Sequence, residues 1–474
     1  MNTASSRHSA PPPETDDNGS LYAARRKIHP REVTGTYQRL RRIALVLILG
    51  AFYTLCWVPW GDRQIILWDL PARRFHILWM TFYPQDFIYA AILLVLAAVT
   101  LLFFTALAGR LWCGYTCPQT LWTEMFLWIE RKIEGDRVQR IKMDQSPWTR
   151  DKLLRRGGKH AIWIAIGFWT GLTFVGYFTP IRQLLAELVR FQLGPWESFW
   201  VFFYGFATYG NAGFLREQVC MYMCPYARFQ SAMFDRDSLI ISYDEQRGEP
   251  RGSRRRGSDP KQVGLGDCID CTMCVQVCPT GIDIRRGLQY ECIGCAACID
   301  VCDQVMDRMG YPRGLVRYTT QNALDGKATH VIRPRIVIYA TILLIAGGLT
   351  VYAILTRPVL SMDVLRDRNA LYRTLDDGRI ENSYTLKINN RSETPHSYRL
   401  EARGITGIQA QSDPATITLP PGAIQPIPAR VQVPASAVSG SVDVELILHT
   451  VDDPDAPVIR ETARFLGPRS TQTP

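Results

Sequence analysis

Eight cysteines in one short stretch constrain this chain more than any other feature. Residues 268–302 read CIDCTMCVQVCPTGIDIRRGLQYECIGCAACIDVC and contain two runs with the spacing C-x2-C-x2-C-x3-C. The tight turns of such a run direct three thiolates inward while a fourth arrives from elsewhere, which suits a cubane iron–sulfur cluster. The sequence therefore predicts two [4Fe-4S] clusters.

The fourth cysteine of each run determines how the ligands divide between the clusters. In bacterial ferredoxins of this kind it ligates the other cluster. The first predicted ligand set is Cys268, Cys271, Cys274 and Cys302, and the second is Cys292, Cys295, Cys298 and Cys278. Zinc is the alternative, but zinc ribbons use two CxxC pairs separated by a longer loop. Asp303 stands where the ferredoxin pattern has proline, and this departure removes no ligand.

Long apolar runs indicate a membrane protein with soluble parts. Five segments approach the ~20 apolar residues that a bilayer-spanning helix requires. They are 43–60, 87–107, 161–178, 199–214 and 336–355. Buried helices of a soluble protein are the alternative, which five such segments in one chain make unattractive. We therefore expect a transmembrane bundle of about five helices.

The distribution of Lys and Arg predicts the orientation of this bundle. Cations crowd residues 25–42 and the loop 110–159, whereas the loops 61–86 and 179–198 carry few. Because cytoplasmic loops are enriched in Lys and Arg, the N-terminus and the cysteine-rich stretch are expected inside. All 13 cysteines precede residue 303, and cluster assembly needs reduced thiols, which also favours the cytosol. The first forty residues show no secretory signal, and residues 1–20 are predicted to be disordered.

The character of the chain changes after residue 356. Apolar and polar residues alternate through several short segments, separated by turns such as NNRS and PPG. This pattern predicts an immunoglobulin-like β-sandwich on the outer side, acting as a docking or structural module. The Arg-rich segment 245–262 is interpreted as a cytosolic hinge near anionic lipid, because a nucleic-acid site would interleave aromatic residues.

A second cysteine motif occurs twice in the membrane part. CGYTCP begins at Cys113 and CMYMCP begins at Cys220, each just after a predicted helix. The spacing of i and i+4 places two sulfurs on one face of a helical turn, and the following proline stops or kinks the helix. The four thiols are Cys113, Cys117, Cys220 and Cys224. They fit either a shared metal such as Cu(I), zinc or an iron–sulfur cluster, or two dithiol pairs, with structural packing as the alternative.

Other single candidates are interpreted as ordinary packed or interfacial residues. They are Cys56, His76, Met80, His160 and His330. Haem ligation would need paired histidines within apolar helices, and these are absent from the sequence. The chain also has no G-x-G-x-x-G and no P-loop, so its electron donor is not visible.

These features together resemble the cytochrome c oxidase accessory protein family called CcoG, FixG or RdxA over nearly the whole chain. The resemblance rests on the basic lead YAARRKIHPREVTGTYQRLRR, the two CxYxCP units, FQSAMFDRDSLIISYDEQRGEPRG, the double ferredoxin motif and NSYTLKINN. The membrane ferredoxin subunits of nitrate and nitrous oxide respiration share the CxxxCP part and are the nearest competitors.

The resemblance implies a bacterial inner-membrane oxidoreductase that reduces Cu(II) to Cu(I) for assembly of cbb3-type cytochrome oxidase. Its partners would be oxidase subunits or assembly factors, an electron donor of unknown identity and the membrane, without nucleic acid. The eight ferredoxin cysteines would hold the clusters, and Cys113, Cys117, Cys220 and Cys224 would handle copper or redox chemistry. An electron relay to a membrane partner or quinone and a non-catalytic assembly scaffold are the competing functions.

The expected architecture has five parts in chain order. They are a disordered basic N-terminus (1–41), a four-helix membrane domain (42–235), a cytosolic ferredoxin domain (236–335), a fifth transmembrane helix (336–356) and a periplasmic Ig-like sandwich (357–474).

Overall fold

The structure, a computed structural model, describes residues 27–367, 371–392, 394–451 and 458–468. It divides into two compact units, each built from separated parts of the chain. The first comprises residues up to Gly50, Phe104–Trp169 and Tyr204–Arg333, and the second comprises Ala51–Phe103, Thr170–Phe203 and Pro334–Pro474. The predicted disorder of residues 1–20 and the basic Arg25 and Arg26 lie outside the described residues.

The secondary structure of the described residues changes from helical to β along the chain. The helices are α1 Thr36–Thr54, α2 Phe87–Ala108, α3 Leu111–Tyr115, α4 Pro118–Glu134, α5 Arg137–Gln145, α6 Arg150–Val175, α7 Ile181–Val189, α8 Pro195–Thr208, α9 Pro225–Ala232, α10 Glu245–Gly248, α11 Met273–Gln276, α12 Ala297–Met309, α13 Gln321–Leu324 and α14 Pro334–Leu355. The strands are β1 Pro59–Trp60, β2 Arg63–Gln64, β3 Ile66–Asp69, β4 Arg74–Ile77, β5 Met80–Phe82, β6 Ile240–Tyr243, β7 Val316–Thr319, β8 Leu360–Arg366, β9 Arg373–Thr374, β10 Arg379–Asn390, β11 His396–Arg403, β12 Gln409–Ser412, β13 Ile417–Leu419, β14 Ile424–Pro434, β15 Ser441–Thr450 and β16 Ile459–Leu466.

Three helical stretches are long and apolar enough to cross a bilayer by length and composition. They are Thr36–Trp57, Pro84–Ala108 and Pro334–Leu355, and they contain most of the first, second and fifth predicted spans. The third predicted span lies mainly in α6. The fourth begins in α8, which has only 14 residues before the backbone changes to π-helix at Tyr209–Leu215. These helices indicate a membrane protein. The bundle of five transmembrane helices remains a prediction.

The cysteine-rich stretch forms a small α+β arrangement in the first unit. β6 and β7 pair antiparallel, with Ile241 opposite Tyr318, and α11 and α12 carry the third cysteine of each run. Apolar side chains of β6, α12 and β7, including Ile241, Ile299 and Val316, pack into one core with Cys268. Burying these side chains holds the two cysteine runs together.

A buried ion network fastens α4 in the same unit. The Glu130 side chain is fully buried and pairs with Arg140 at 3.3 Å and with Arg216, which precedes Cys220. Arg216 has a left-handed φ of 45°, an uncommon conformation for a residue with a side chain. Glu130 therefore anchors the turn from which the second CxYxCP motif starts.

The predicted immunoglobulin-like sandwich is confirmed in the second unit. One sheet has the strand order β12-β14-β10-β8, with β9 also paired to β10, and the other has the order β13-β11-β15-β16. Alternate residues such as Leu386, Tyr398 and Leu446 point inward and are fully buried, as the apolar and polar alternation predicted.

One buried asparagine joins the two sheets of the sandwich. The side-chain amide of Asn382 in β10 donates to the Leu466 carbonyl at 2.8 Å and accepts from the Leu466 amide at 3.1 Å. Asn382 belongs to the NSYTLKINN element, so this part of the motif has a structural role.

Candidate metal-thiolate centres

The first predicted ligand set surrounds one small cavity. Its four cysteines lie in the loop before α11, in α11 and in α12. They are Cys268, Cys271, Cys274 and Cys302, and the apolar side chains of Met306, Leu315 and Val316 also line the cavity. Cys271 is exposed whereas Cys268 is buried, so this cavity has one open side.

The second predicted ligand set surrounds a neighbouring cavity. Its lining includes Cys278, Cys292, Cys295 and Cys298, and Cys274 lines both cavities. Cys302 therefore lines a cavity with the first three cysteines of the first run, and Cys278 lines one with the first three of the second run. The assignment of individual ligands stays a prediction.

The two cysteine runs share a backbone device around their second cysteine. Asp270 and Thr272 flank Cys271 with left-handed φ values of 51° and 55°. Gly294 and Ala296 flank Cys295 with φ values of 69° and 60°. Three of these four residues have a side chain, so the loops accept conformational strain to wrap around a central volume.

The cysteine side chains fit a polynuclear cluster better than a single ion. In the described part of the chain, no group of three or more His, Cys, Asp or Glu side chains stands close enough together to hold one metal ion, and this is true of the ferredoxin cysteines and of the CxYxCP cysteines alike. A four-iron cluster is larger than a single ion, so its ligands stand further apart around a cavity.

Burial makes these thiols weaker acids than an ordinary cysteine as long as no metal is bound. It raises the pKa of Cys274, Cys292 and Cys302 to about 12. Because iron binds the thiolate form of cysteine, binding of a cluster would release these protons. The positive charge of the iron would then balance the negative charge of the buried thiolates.

The backbone of the two CxYxCP motifs differs from the single helical turn that the sequence predicted. Cys113 lies in α3 and Cys220 in a π-helix over Val219–Met223, but the second cysteine of each motif is in an extended conformation. Cys117 (ψ 125°) and Cys224 (ψ 109°) each precede a helix whose first residue is proline. The predicted single helical turn was therefore wrong, because a residue before proline avoids the α conformation.

The cysteines of the two motifs nevertheless lie in one region, although no three of them are placed to hold a single metal ion in the described structure. The Cys113 sulfur donates to the side-chain oxygen of Gln230 at 3.3 Å, and Gln230 lies in α9, the helix that follows Cys224. Cys113 and Cys220 pack against the same core. We call this group of four cysteines the four-cysteine site.

Burial also governs the thiols of the four-cysteine site. It raises the pKa of Cys113 and of Cys220 to about 12, and the neighbouring cysteines add to the rise. A site of this kind holds neutral thiols at neutral pH until a soft metal ion displaces the protons.

Two glycines bring the four-cysteine site against the loop of the second cavity. A β-carbon on Gly114 would lie 2.6 Å from the Gly294 carbonyl oxygen, and one on Gly294 would lie 2.9 Å from the Arg110 carbonyl oxygen. Neither distance leaves room for a side chain. The CGY and CIGC sequences therefore meet backbone to backbone, and Cys113 and Cys220 pack against the core that contains Cys295.

Sequence reasoning missed two residues of this region. Gln230 is fully buried and donates to the Gly109 carbonyl at 3.0 Å, while Arg110 is 7% exposed and bonds the chain around Cys292. Arg110 gave a signal, because a charged residue stood directly between an apolar helix and a cysteine motif. Gln230 gave none that separates it from other polar helical residues.

The single candidates have different surroundings. Cys56 and His76 line a cavity of about 570 Å³ in the second unit, although the His76 ring nitrogen already bonds Thr81 at 2.9 Å. His160 stacks on Phe214 and bonds Tyr209 at 3.1 Å. The backbone amide of His330 donates to Asp237. Met80 begins β5. Cys56, His76 and His160 are therefore packed side chains, whereas the His330 side chain is exposed.

Three family models match separate parts of the chain. A 4Fe-4S binding domain matches residues 90–135, a 4Fe-4S dicluster domain matches residues 215–321, and the Ig-like fold at the C-terminal of FixG matches residues 350–468. The protein therefore carries two [4Fe-4S] clusters, and its sandwich is of the FixG type.

Curated relatives match nearly the full chain. The nitrogen fixation protein FixG of Rhizobium meliloti is 37% identical over 88% of this chain and 88% of its own length. RdxA of Cereibacter sphaeroides is 37% identical over 95% of this chain and 99% of its own length, and RdxB of the same organism is 38% identical over 91% and 94%.

Proposed function

The chain belongs to the FixG/RdxA family of iron–sulfur electron-transfer proteins, and from this premise we propose that it reduces Cu(II) to Cu(I) for assembly of cbb3-type cytochrome oxidase. The observation that supports this proposal is the contact between Gly114 and Gly294. Gly114 directly follows Cys113, and Cys113 and Cys220 pack against the core that contains Cys295. The reaction is the addition of one electron to each cupric ion.

The residues divide into two sets with separate roles. The eight ferredoxin cysteines would hold the clusters, which would supply single electrons when bound. The four-cysteine site takes the copper substrate, because thiolates prefer Cu(I) over hard ions and so stabilise the product. The side-chain oxygen of Gln230 accepts a hydrogen bond from the Cys113 thiol and so orients this thiol before copper binds.

The proposed placement follows the distribution of charge. The N-terminus and the ferredoxin part face the cytosol of a bacterial inner membrane, and the sandwich faces the periplasm. There the sandwich docks oxidase subunits or assembly factors. The five-part division from residues 1–41 to 357–474 belongs to the same proposal.

Stoichiometric oxidation by copper tests the function. Full-length protein, isolated anaerobically in detergent, is reduced with dithionite, freed of excess reductant and mixed with Cu(II) in the presence of a Cu(I) chelator. Each electron lost from the clusters should yield one chelated Cu(I). Clusters that stay reduced in the presence of Cu(II) contradict the proposal and favour the relay or the scaffold.

Serine substitutions locate the reaction. Cys113→Ser and Cys220→Ser should slow copper reduction about tenfold or more while leaving the cluster absorbance in place. Cys56→Ser is the matched control, since Cys56 is a buried cysteine outside both motifs. Wild-type rates in both motif variants would remove the four-cysteine site from the reaction.

A further inference from the structure

Arg110 is a buried cation whose hydrogen bonds all go to main-chain carbonyls. Its guanidinium donates to Cys292 at 3.0 Å, to Ala227 at 2.8 Å and to Tyr290. Its Nε is buried without a partner, and no ion pair among the described residues includes Arg110. A buried charge without a counter-charge is costly, so an anion is expected nearby.

Sulfur ligands lie on both sides of Arg110. It stands three residues before Cys113, and its guanidinium bonds the Cys292 carbonyl of the second ligand set and the Ala227 carbonyl that follows Cys224. Ala227 lies in α9, just after Cys224, and Tyr290 and Cys292 lie in the loop of the second cavity. The Arg110 guanidinium therefore links the segment after Cys224 to the loop that carries Cys292 through hydrogen bonds.

The first ligand set has the opposite charge balance. Arg285, the cation beside Cys274, pairs with Asp283 at 2.7 Å and also with Asp270. Two carboxylates thus face one guanidinium. Beside the second set, Arg41 is balanced by one carboxylate, Glu124 at 3.6 Å, and Arg110 has none. Among these groups, the summed charge is negative beside the first ligand set and positive beside the second.

We propose that Arg110 is a positioning residue that raises the reduction potential of the second cluster above that of the first. Net local charge and solvent exposure set the potential of such clusters, and a nearby cation favours the reduced form. The exposed Cys271 places the lower-potential cluster at the surface, where electrons enter. The higher-potential cluster lies against the four-cysteine site, so electrons accumulate there. This inference concerns the clusters and does not depend on copper.

A potentiometric titration followed by EPR tests the proposal on the full-length protein. Arg110→Gln should move the midpoint of the second cluster to more negative potential and leave the first unchanged. Arg110→Lys, which keeps the charge but not the planar fork, should retain a midpoint near that of the wild type. Cys271→Ser identifies the signal of the first cluster.

Three outcomes overturn the proposal. They are an unchanged second midpoint in Arg110→Gln, an equal shift of both clusters, and a shift in Arg110→Lys as large as that in Arg110→Gln. If Arg110→Gln fails to assemble the second cluster, Glu124→Gln provides the test by leaving Arg41 uncompensated near Cys295. Its second midpoint should move to more positive potential, and an unchanged value would also contradict the proposal.

Discussion

The carboxylate of Asp300 accepts a hydrogen bond of 2.8 Å from the backbone amide of Gln38. Asp300 lies in α12 between Cys298 and Cys302, and Gln38 lies in the first turn of α1. It also accepts from the Tyr37 amide at 3.2 Å. The ferredoxin helix thus caps the start of the first apolar helix, which explains why α1 begins at Thr36, within the segment predicted as disordered.

Loss of this cap should loosen the start of α1. Asp300→Ala leaves the buried Gln38 amide and the partly buried Tyr37 amide without this acceptor, and we expect a destabilisation of about 1 kcal/mol. Thermal unfolding of the full chain in detergent measures it. Asp307→Asn is the control, because Asp307 lies in the same helix but forms an exposed pair with Arg313. Equal effects of the two substitutions would deny Asp300 a capping role.

Glu130 should be a major determinant of stability in the first unit. Glu130→Gln leaves Arg140 and Arg216 without their buried counter-charge, and we expect a loss of about 3 kcal/mol. The exposed pair of Asp151 with Arg155 is the comparison, and Asp151→Asn should change stability by less than about 0.5 kcal/mol. Thermal unfolding of both variants in the same detergent distinguishes them.

The Glu130 carboxyl also predicts a pH dependence. Burial opposes its ionisation, but the charges of Arg216, Lys159 and Arg140 outweigh burial and lower its pKa from 4.5 to about 2. A carboxyl with a lowered pKa stabilises the fold above its unfolded value and loses this contribution as pH falls. Wild-type stability should therefore decline from about pH 4.5 towards pH 2, more steeply than that of Glu130→Gln. Parallel curves for the two proteins would show that Glu130 does not carry the effect.

Thiol alkylation should report the burial of the four-cysteine site. In metal-free protein, iodoacetamide should modify Cys113 and Cys220 slowly at pH 7. Because their pKa is about 12, the rate should rise roughly tenfold for each pH unit up to that region. Peptide mass spectrometry measures each site, with the exposed Cys271 as the accessible reference. A rate that levels off near pH 9 would contradict the buried thiol environment.

The contact between Gly114 and Gly294 should be necessary for the second cluster. Gly114→Val forces the CGY segment away from the Cys292 loop, and we expect the iron content to fall by about half. Gly157→Ala is the control, since a β-carbon there meets nothing within 4 Å. Iron and sulfide analysis of anaerobically purified protein measures this loss. Full iron content in Gly114→Val would show that the second cluster assembles without the contact between the CGY segment and the Cys292 loop.

Features that depend on local spacing and periodicity could be predicted from the amino-acid sequence. The cysteine runs predicted two clusters, the alternation after residue 356 predicted the sandwich, and the apolar runs predicted membrane helices. Each of these signals repeats over neighbouring residues, so it can be found without knowing what the segment contacts.

The pairing of groups that are distant in the chain became visible in the folded structure. Asp300 with Gln38, Glu130 with Arg216, and Arg110 with the Cys292 loop are separated by 86 to 262 residues. The extended conformation of Cys117 could have been predicted from the proline that follows it. The hydrogen bonds of the Arg110 guanidinium to main-chain carbonyls could not have been predicted from the sequence. A buried charge or amide takes whichever partner the fold brings to it, and no local pattern encodes that partner.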